Sequence, residues 1–163
     1  LLTPQEDDDP RARFDIPLLV SRLDAAIEHA QRDPGLSALP RILFGASTGA
    51  AAALVCAAHG DRVAAVVSRG GRPDLAGRGP LGRVTVPTLL LVGERDTEVL
   101  RLNQDAAARI GPSARLSVVP GAGHLFEEPG TLDRVARLTA DWLSRLIPDV
   151  PDARQSERHS GAA

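Results

Sequence analysis

The stretch Arg41-Ile42-Leu43-Phe44-Gly45-Ala46-Ser47-Thr48-Gly49 decides how the rest of the chain is read. Its apolar residues Ile42, Leu43 and Phe44 run straight into Gly-x-Ser-x-Gly, and the helix-forming run Ala50 to Ala53 follows at once. Strand, sharp turn and helix in that order are the setting of a nucleophile elbow, which holds a serine hydroxyl clear of a sheet. The turn predicts a strained backbone at Ser47. It predicts glycine at 45 and 49 because a side chain there would crowd the turn or the adjoining strand. The alanines let the helix lie close on the sheet, and its first N–H groups face any oxyanion that forms at the serine. The plainer reading is a small-residue turn with an idle serine. Gly-x-Ser-x-Gly arises by chance often enough that its context has to decide.

A chain of 163 residues predicts one domain with a real core. A net charge of −2 gives neither a nucleic-acid surface nor a polybasic membrane patch. No apolar run is long enough to span a bilayer, and no signal-peptide pattern opens the chain. Cys56 stands alone, so no internal disulfide can form, which suits a cytoplasmic protein. Its place on the helix after the elbow predicts a small buried residue. Lysine, methionine and tyrosine are absent, a compositional bias rather than a functional signal. The chain opens on Leu1 rather than methionine, as a fragment would.

Residues 1–13 are polar, with the acidic run Glu6-Asp7-Asp8-Asp9, and read as a loop or frayed arm in which Leu1 and Leu2 could end a strand. A helix follows, capped by Asp15 with Pro17 in its first turn; Leu19, Leu23, Ala26, Ile27 and Ala30 share one face, and Asp33-Pro34-Gly35 ends it. The elbow strand (41–46) and its helix (48–59) come next, closed by His59-Gly60. Val63 to Val67 is continuously apolar, as in a strand buried on both faces. The Gly/Pro-rich connection 69–86 leaves no room for a large helical lid over the site. A strand at 87–92, a helix over about 98–110, a strand at 116–119 and a helix from Gly130-Thr131 complete the order, with Trp142 on the last helix's core face. From 148 to 163 the composition becomes polar and small, and a disordered tail is expected there, His159 included. Alternating strands and helices with apolar strand runs indicate an α/β fold: a parallel sheet with helices on both faces, spanning 14–147.

In such sheets the working residues collect at the C-terminal ends of strands. Ser47, Asp96 and His124 each follow directly on an apolar strand run. His124 could take the proton of a Ser47 nucleophile and return it to a leaving group, and Asp96 could hold the imidazole in the useful tautomer. The Thr48 backbone N–H would supply one oxyanion-hole donor. No metal or cofactor is called for. Singly, Asp96 is a plausible turn residue and His124 a loop histidine in a glycine-rich, mobile segment. Together they occupy the right strand ends in the order Ser, Asp, His.

That order resembles the triads of the α/β-hydrolase superfamily, nearest its dienelactone-hydrolase-like branch. More narrowly, the chain is similar to hydrolase domains fused behind phosphoribosyltransferase domains in some bacterial proteins. The resemblance rests on Phe14 to Leu19, Phe44 to Ala53, Ser68 to Leu75, Pro87 to Asp96 and Gly121 to Thr131, and runs over nearly all of 14–146. It implies a serine hydrolase of the esterase type acting on an ester, lactone or thioester of a small molecule, uncapped by any large lid. It also implies strands before the elbow strand, and a loop among them giving the second oxyanion donor. Residues 1–13 cannot fill that place, so the chain is expected to be the C-terminal portion of such a domain, or a degenerate one. The competing expectation is a non-catalytic module serving a fused or neighbouring phosphoribosyltransferase. A nucleotide-binding protein is disfavoured because no phosphate-binding Gly-rich loop with lysine is present.

Overall fold

The computed structural model describes residues 1–60 and 62–147. The expected tail, with His159, lies outside the described residues. The first residues are not a plain loop. Thr3 and Glu6 form a capping box for the turn α1 (Pro4–Asp7), and Asp9 caps a 3₁₀ turn at Pro10–Phe14. Both turns begin with proline, whose fixed φ suits a first helical position. Leu1 and Leu2 form no strand. Helix α2 (Ile16–Arg32) begins where expected: the Asp15 carboxylate accepts the Leu18 N–H at 3.0 Å. Such a cap contributes about 1 kcal/mol.

Four parallel strands, β1 (Ile42–Ala46), β2 (Ala65–Arg69), β3 (Thr88–Gly93) and β4 (Ala114–Val119), lie in the order β1-β2-β3-β4. Strand β2 starts and ends two residues later than its apolar run. Val63 is buried in the core but precedes the ladder, whereas Ser68 and Arg69 pair with Gly45 and Ala46. Apolar runs mark burial, and the ladder continues into polar residues as the strand enters the site.

Helices α3 (Thr48–Ala57) and α5 (Thr97–Ile110) cover one face, with α2 packed outside α3; α6 (Thr131–Leu146) covers part of the other. Ala50 to Ala53 are all essentially inaccessible, so α3 sits tight on β1 as its alanines predict. Residues 69–86 hold a 3₁₀ turn (Pro73–Ala76) and the short α4 (Arg78–Leu81), which pack on α3 and α5, not over the strand ends. Val135 and Trp142 of α6 are buried, but Leu132 is exposed beside Phe44, and the two help line an open groove of about 550 Å³. No described helix is long and apolar enough to cross a membrane.

Candidate active site

Strand β1 delivers Ser47 with φ 48° and ψ −121°, a backbone region that non-glycine residues avoid at a cost of roughly 1–3 kcal/mol. The elbow around it is over-determined. The Ser47 carbonyl accepts the Arg72 N–H at 3.0 Å and the Ala50 N–H at 3.2 Å, and the Ser47 N–H reaches the Arg69 carbonyl at 3.4 Å. Asn103, wholly buried on α5, donates to the Gly71 carbonyl at 3.0 Å and so fixes the segment that grips the elbow. A Cβ on Gly45 would stand 2.6 Å from the backbone of Gly49 and Ala50, so glycine is obligatory there. Gly49 is different. A Cβ would meet nothing within 4 Å, because this side of α3 faces a cleft of about 350 Å³ beside the open edge of β1. The crowding expected at Gly49 is absent. The Ser47 side chain makes no capping bond to α3, and the Thr48 N–H, first in the helix, has no acceptor outside it.

Asp96 ends the turn after β3, and its carboxylate meets His124 Nδ1 at 2.6 Å. Two of the three sequence candidates are therefore joined. Among the described residues no hydrogen bond links Ser47 Oγ to His124, and Nε2 has no partner. Both nonetheless flank the end of β2: Ser47 bonds Arg69, and a Cβ on Gly70 would lie 3.8 Å from His124 Cε1.

The His124 loop is tied down, contrary to the mobility its glycines suggest. Gly93 lies so close that a Cβ would stand 2.4 Å from the Ala122 carbonyl oxygen. Glu94 accepts the Gly121 N–H at 2.8 Å, and Glu128 accepts the Gly123 N–H at 3.0 and 3.1 Å while pairing with Arg95. Phe126 is buried at φ 58°, its carbonyl bonded by the Thr131 hydroxyl at 2.8 Å and its ring under the Arg69 guanidinium at 5.6 Å. Sequence reasoning missed Arg69, Glu94, Arg95, Asn103, Glu128 and Thr131 as supports of the site. All but Asn103 stood in stretches quoted for the family resemblance, and nothing local marked any of them as a support. Cys56 plays no part: burial pushes its thiol up to about 12, which leaves it an unreactive core residue.

A parallel sheet carrying a strained Gly-x-Ser-x-Gly turn, with Asp and His following at later strand ends, defines the α/β-hydrolase fold. No protein-family model matches the chain. A dienelactone hydrolase from Anabaena variabilis shares 48% identity at a TM-score of 0.82, over 88% of this chain and 68% of its own. The chain belongs to the dienelactone hydrolase family of α/β hydrolases. A dienelactone hydrolase-like promiscuous phosphotriesterase from metagenomic libraries shares the fold at 20% identity and a TM-score of 0.61, covering 81% of this chain and 63% of that one. Two Mycobacterium tuberculosis proteins, provisionally named phosphoribosyl transferases, are 57% identical over 88% of this chain. The chain spans about a third of their length (32%).

Proposed function

We propose that the protein is a serine hydrolase that cleaves an ester, lactone or thioester bond of a small molecule through Ser47, His124 and Asp96. The observation that carries this is the strained Ser47 elbow set across the end of β2 from a 2.6 Å His124–Asp96 pair. His124 Nε2 takes the hydroxyl proton as Ser47 Oγ bonds to the carbonyl carbon, and the carbonyl π electrons move to oxygen. The Thr48 N–H stabilises that oxyanion, as does the dipole of α3. Collapse expels the alcohol or thiol, which carries off the proton from His124. Water then attacks the acyl-Ser47 ester with His124 taking its proton, and collapse breaks the bond to Ser47 Oγ, releasing the carboxylic acid as His124 returns the proton to the serine. The reading requires Ser47 Oγ and His124 Nε2 to come within hydrogen-bond reach once substrate is bound, and nucleophile–base contacts are commonly longer without substrate. An unpaired thiol and the absence of a spanning helix among the described residues fit a cytoplasmic enzyme.

A second reading is a hydrolase-like module serving a fused phosphoribosyltransferase without chemistry of its own. The missing Ser47–His124 bond and the length and name of the mycobacterial relatives favour it. A fluorophosphonate probe separates the two, because only an activated serine is labelled. The hydrolase reading expects labelling and p-nitrophenyl ester turnover, with kcat for Ser47→Ala down by roughly 10⁴-fold or more at unchanged Tm. An unlabelled wild type, or a Ser47→Ala protein with full turnover, would overturn it.

A further inference from the structure

We infer that Glu128 is a positioning residue: one carboxylate that ties the residue before His124 to the residue before Asp96 and thereby sets the imidazole against its carboxylate partner. The inference rests on the hydrolase reading for its kinetic consequence, but not for its geometry. Both oxygens of Glu128 accept the Gly123 N–H, at 3.0 and 3.1 Å, and Oε1 also pairs with the Arg95 guanidinium. Gly123 immediately precedes His124, and Arg95 immediately precedes Asp96. The same two segments also meet through the Arg95 N–H, which donates to the Ala122 carbonyl at 2.9 Å. The side chains themselves are less supported. His124 is about two-fifths exposed, so packing alone does not hold its ring, and its direction follows from the backbone at Gly123. Glu128 is well suited to the task, since the Gly123 N–H holds its carboxyl below the usual carboxylate range and keeps it ionised.

The loop has separate anchors for its fold. Phe126 is buried and Thr131 bonds both the Phe126 and Glu128 carbonyls from beneath, at 2.8 and 2.7 Å. Removing the Glu128 carboxylate therefore loosens the Gly123–Arg95 link while the loop stays folded. A small displacement of a catalytic base can cost up to about a hundredfold in rate. Because Glu128 acts through His124 and not on substrate, the loss falls on kcat, with KM little changed.

The test compares Glu128→Ala, Glu128→Gln and the exposed neighbour Glu127→Ala in purified protein. Glu128→Ala should lower kcat about 10- to 100-fold. It should also raise the exchange rate of the Gly123 amide in ¹⁵N spectra about tenfold or more, at near-native Tm. Glu128→Gln keeps an oxygen that can accept from both the Gly123 N–H and the Arg95 guanidinium and loses only the charge of an exposed pair, so it should stay within about fivefold of wild type. Glu127→Ala should match wild type in both readouts. Glu128→Ala with native kcat and native Gly123 exchange would overturn the inference. So would a Glu128→Gln protein as impaired as Glu128→Ala, for then charge or folding, not the hydrogen-bonded tie between Gly123 and Arg95, is what matters. A wild type that takes no fluorophosphonate label defeats the hydrolase reading instead, and the positioning role is then decided by Gly123 exchange alone.

Discussion

The two flanks of the sheet are built to different standards. On the β3–β4 side, the backbone before and after His124 is tethered: Gly93 against Ala122, Glu94 on Gly121, Glu128 on Gly123, Thr131 on the Phe126 carbonyl. On the β1 side the edge strand pairs with β2 alone among the described residues, as β4 pairs with β3 alone, but here Phe44 is 56% exposed and hollows lie on both faces of the strand. The acid–base half of the proposed site is thus held by contacts around its loop, whereas the strand that leads to the nucleophile leaves Phe44 and two hollows open to solvent. An unpaired apolar edge is also a template for association. What the difference teaches is that a glycine-rich loop can be tightly tethered while the apolar edge strand at the other end of the sheet stays open.

The phenylalanines of the two flanks give the largest expected contrast. Phe126→Ala removes a ring with 1% exposure and should cost about 3–5 kcal/mol in urea unfolding. Phe44→Ala should change stability by less than about 0.5 kcal/mol, since its ring faces solvent. Phe44→Ser should in addition reduce concentration-dependent association seen by light scattering. Equal costs for the two alanine variants would mean that β1 is covered in solution, and the contrast between flanks would fall.

How much of this was legible in the sequence follows the same division. The elbow was plain, because Gly45-x-Ser47-x-Gly49 after an apolar run has few other uses and Ala50 to Ala53 can pack only closely. The Asp96–His124 pair followed from strand ends and order, without any contact being visible. The position of β2 was misjudged by two residues because burial at Val63 and ladder pairing at Arg69 are separate properties that a hydrophobic run cannot distinguish. The rigidity of the His124 loop was illegible for a different reason. Glycines at 121 and 123 suggest freedom, while the groups that remove it, Glu94, Glu128 and Thr131, act across turns between separate strands and helices. Tethers of that kind depend on tertiary placement, not on local pattern. The order of the first turns, by contrast, was written in Thr3-x-x-Glu6 and overlooked under a run of acids.

The glycines of the motif itself give a smaller and finer contrast. Both were expected to be sterically required, yet only one is. A methyl on Gly45 would sit 2.6 Å from backbone atoms of Gly49 and Ala50, which cannot rotate aside, so β1 and α3 must part. Gly45→Ala should therefore cost about 1–3 kcal/mol and displace Ser47, lowering any esterase rate as well. Gly49 has ordinary helical freedom, lies in the first turn of α3, and offers open space to a methyl. Alanine there gains helix propensity and relieves chain entropy in the unfolded state, so Gly49→Ala should be neutral to stabilising by up to about 0.5 kcal/mol. Urea midpoints measured at constant m would read both effects. The informative failure is a costly Gly49→Ala. It would require atoms within van der Waals reach of that methyl, and among the described residues Gly49 lines the cleft beside β1, so the open flank would prove to be occupied in solution.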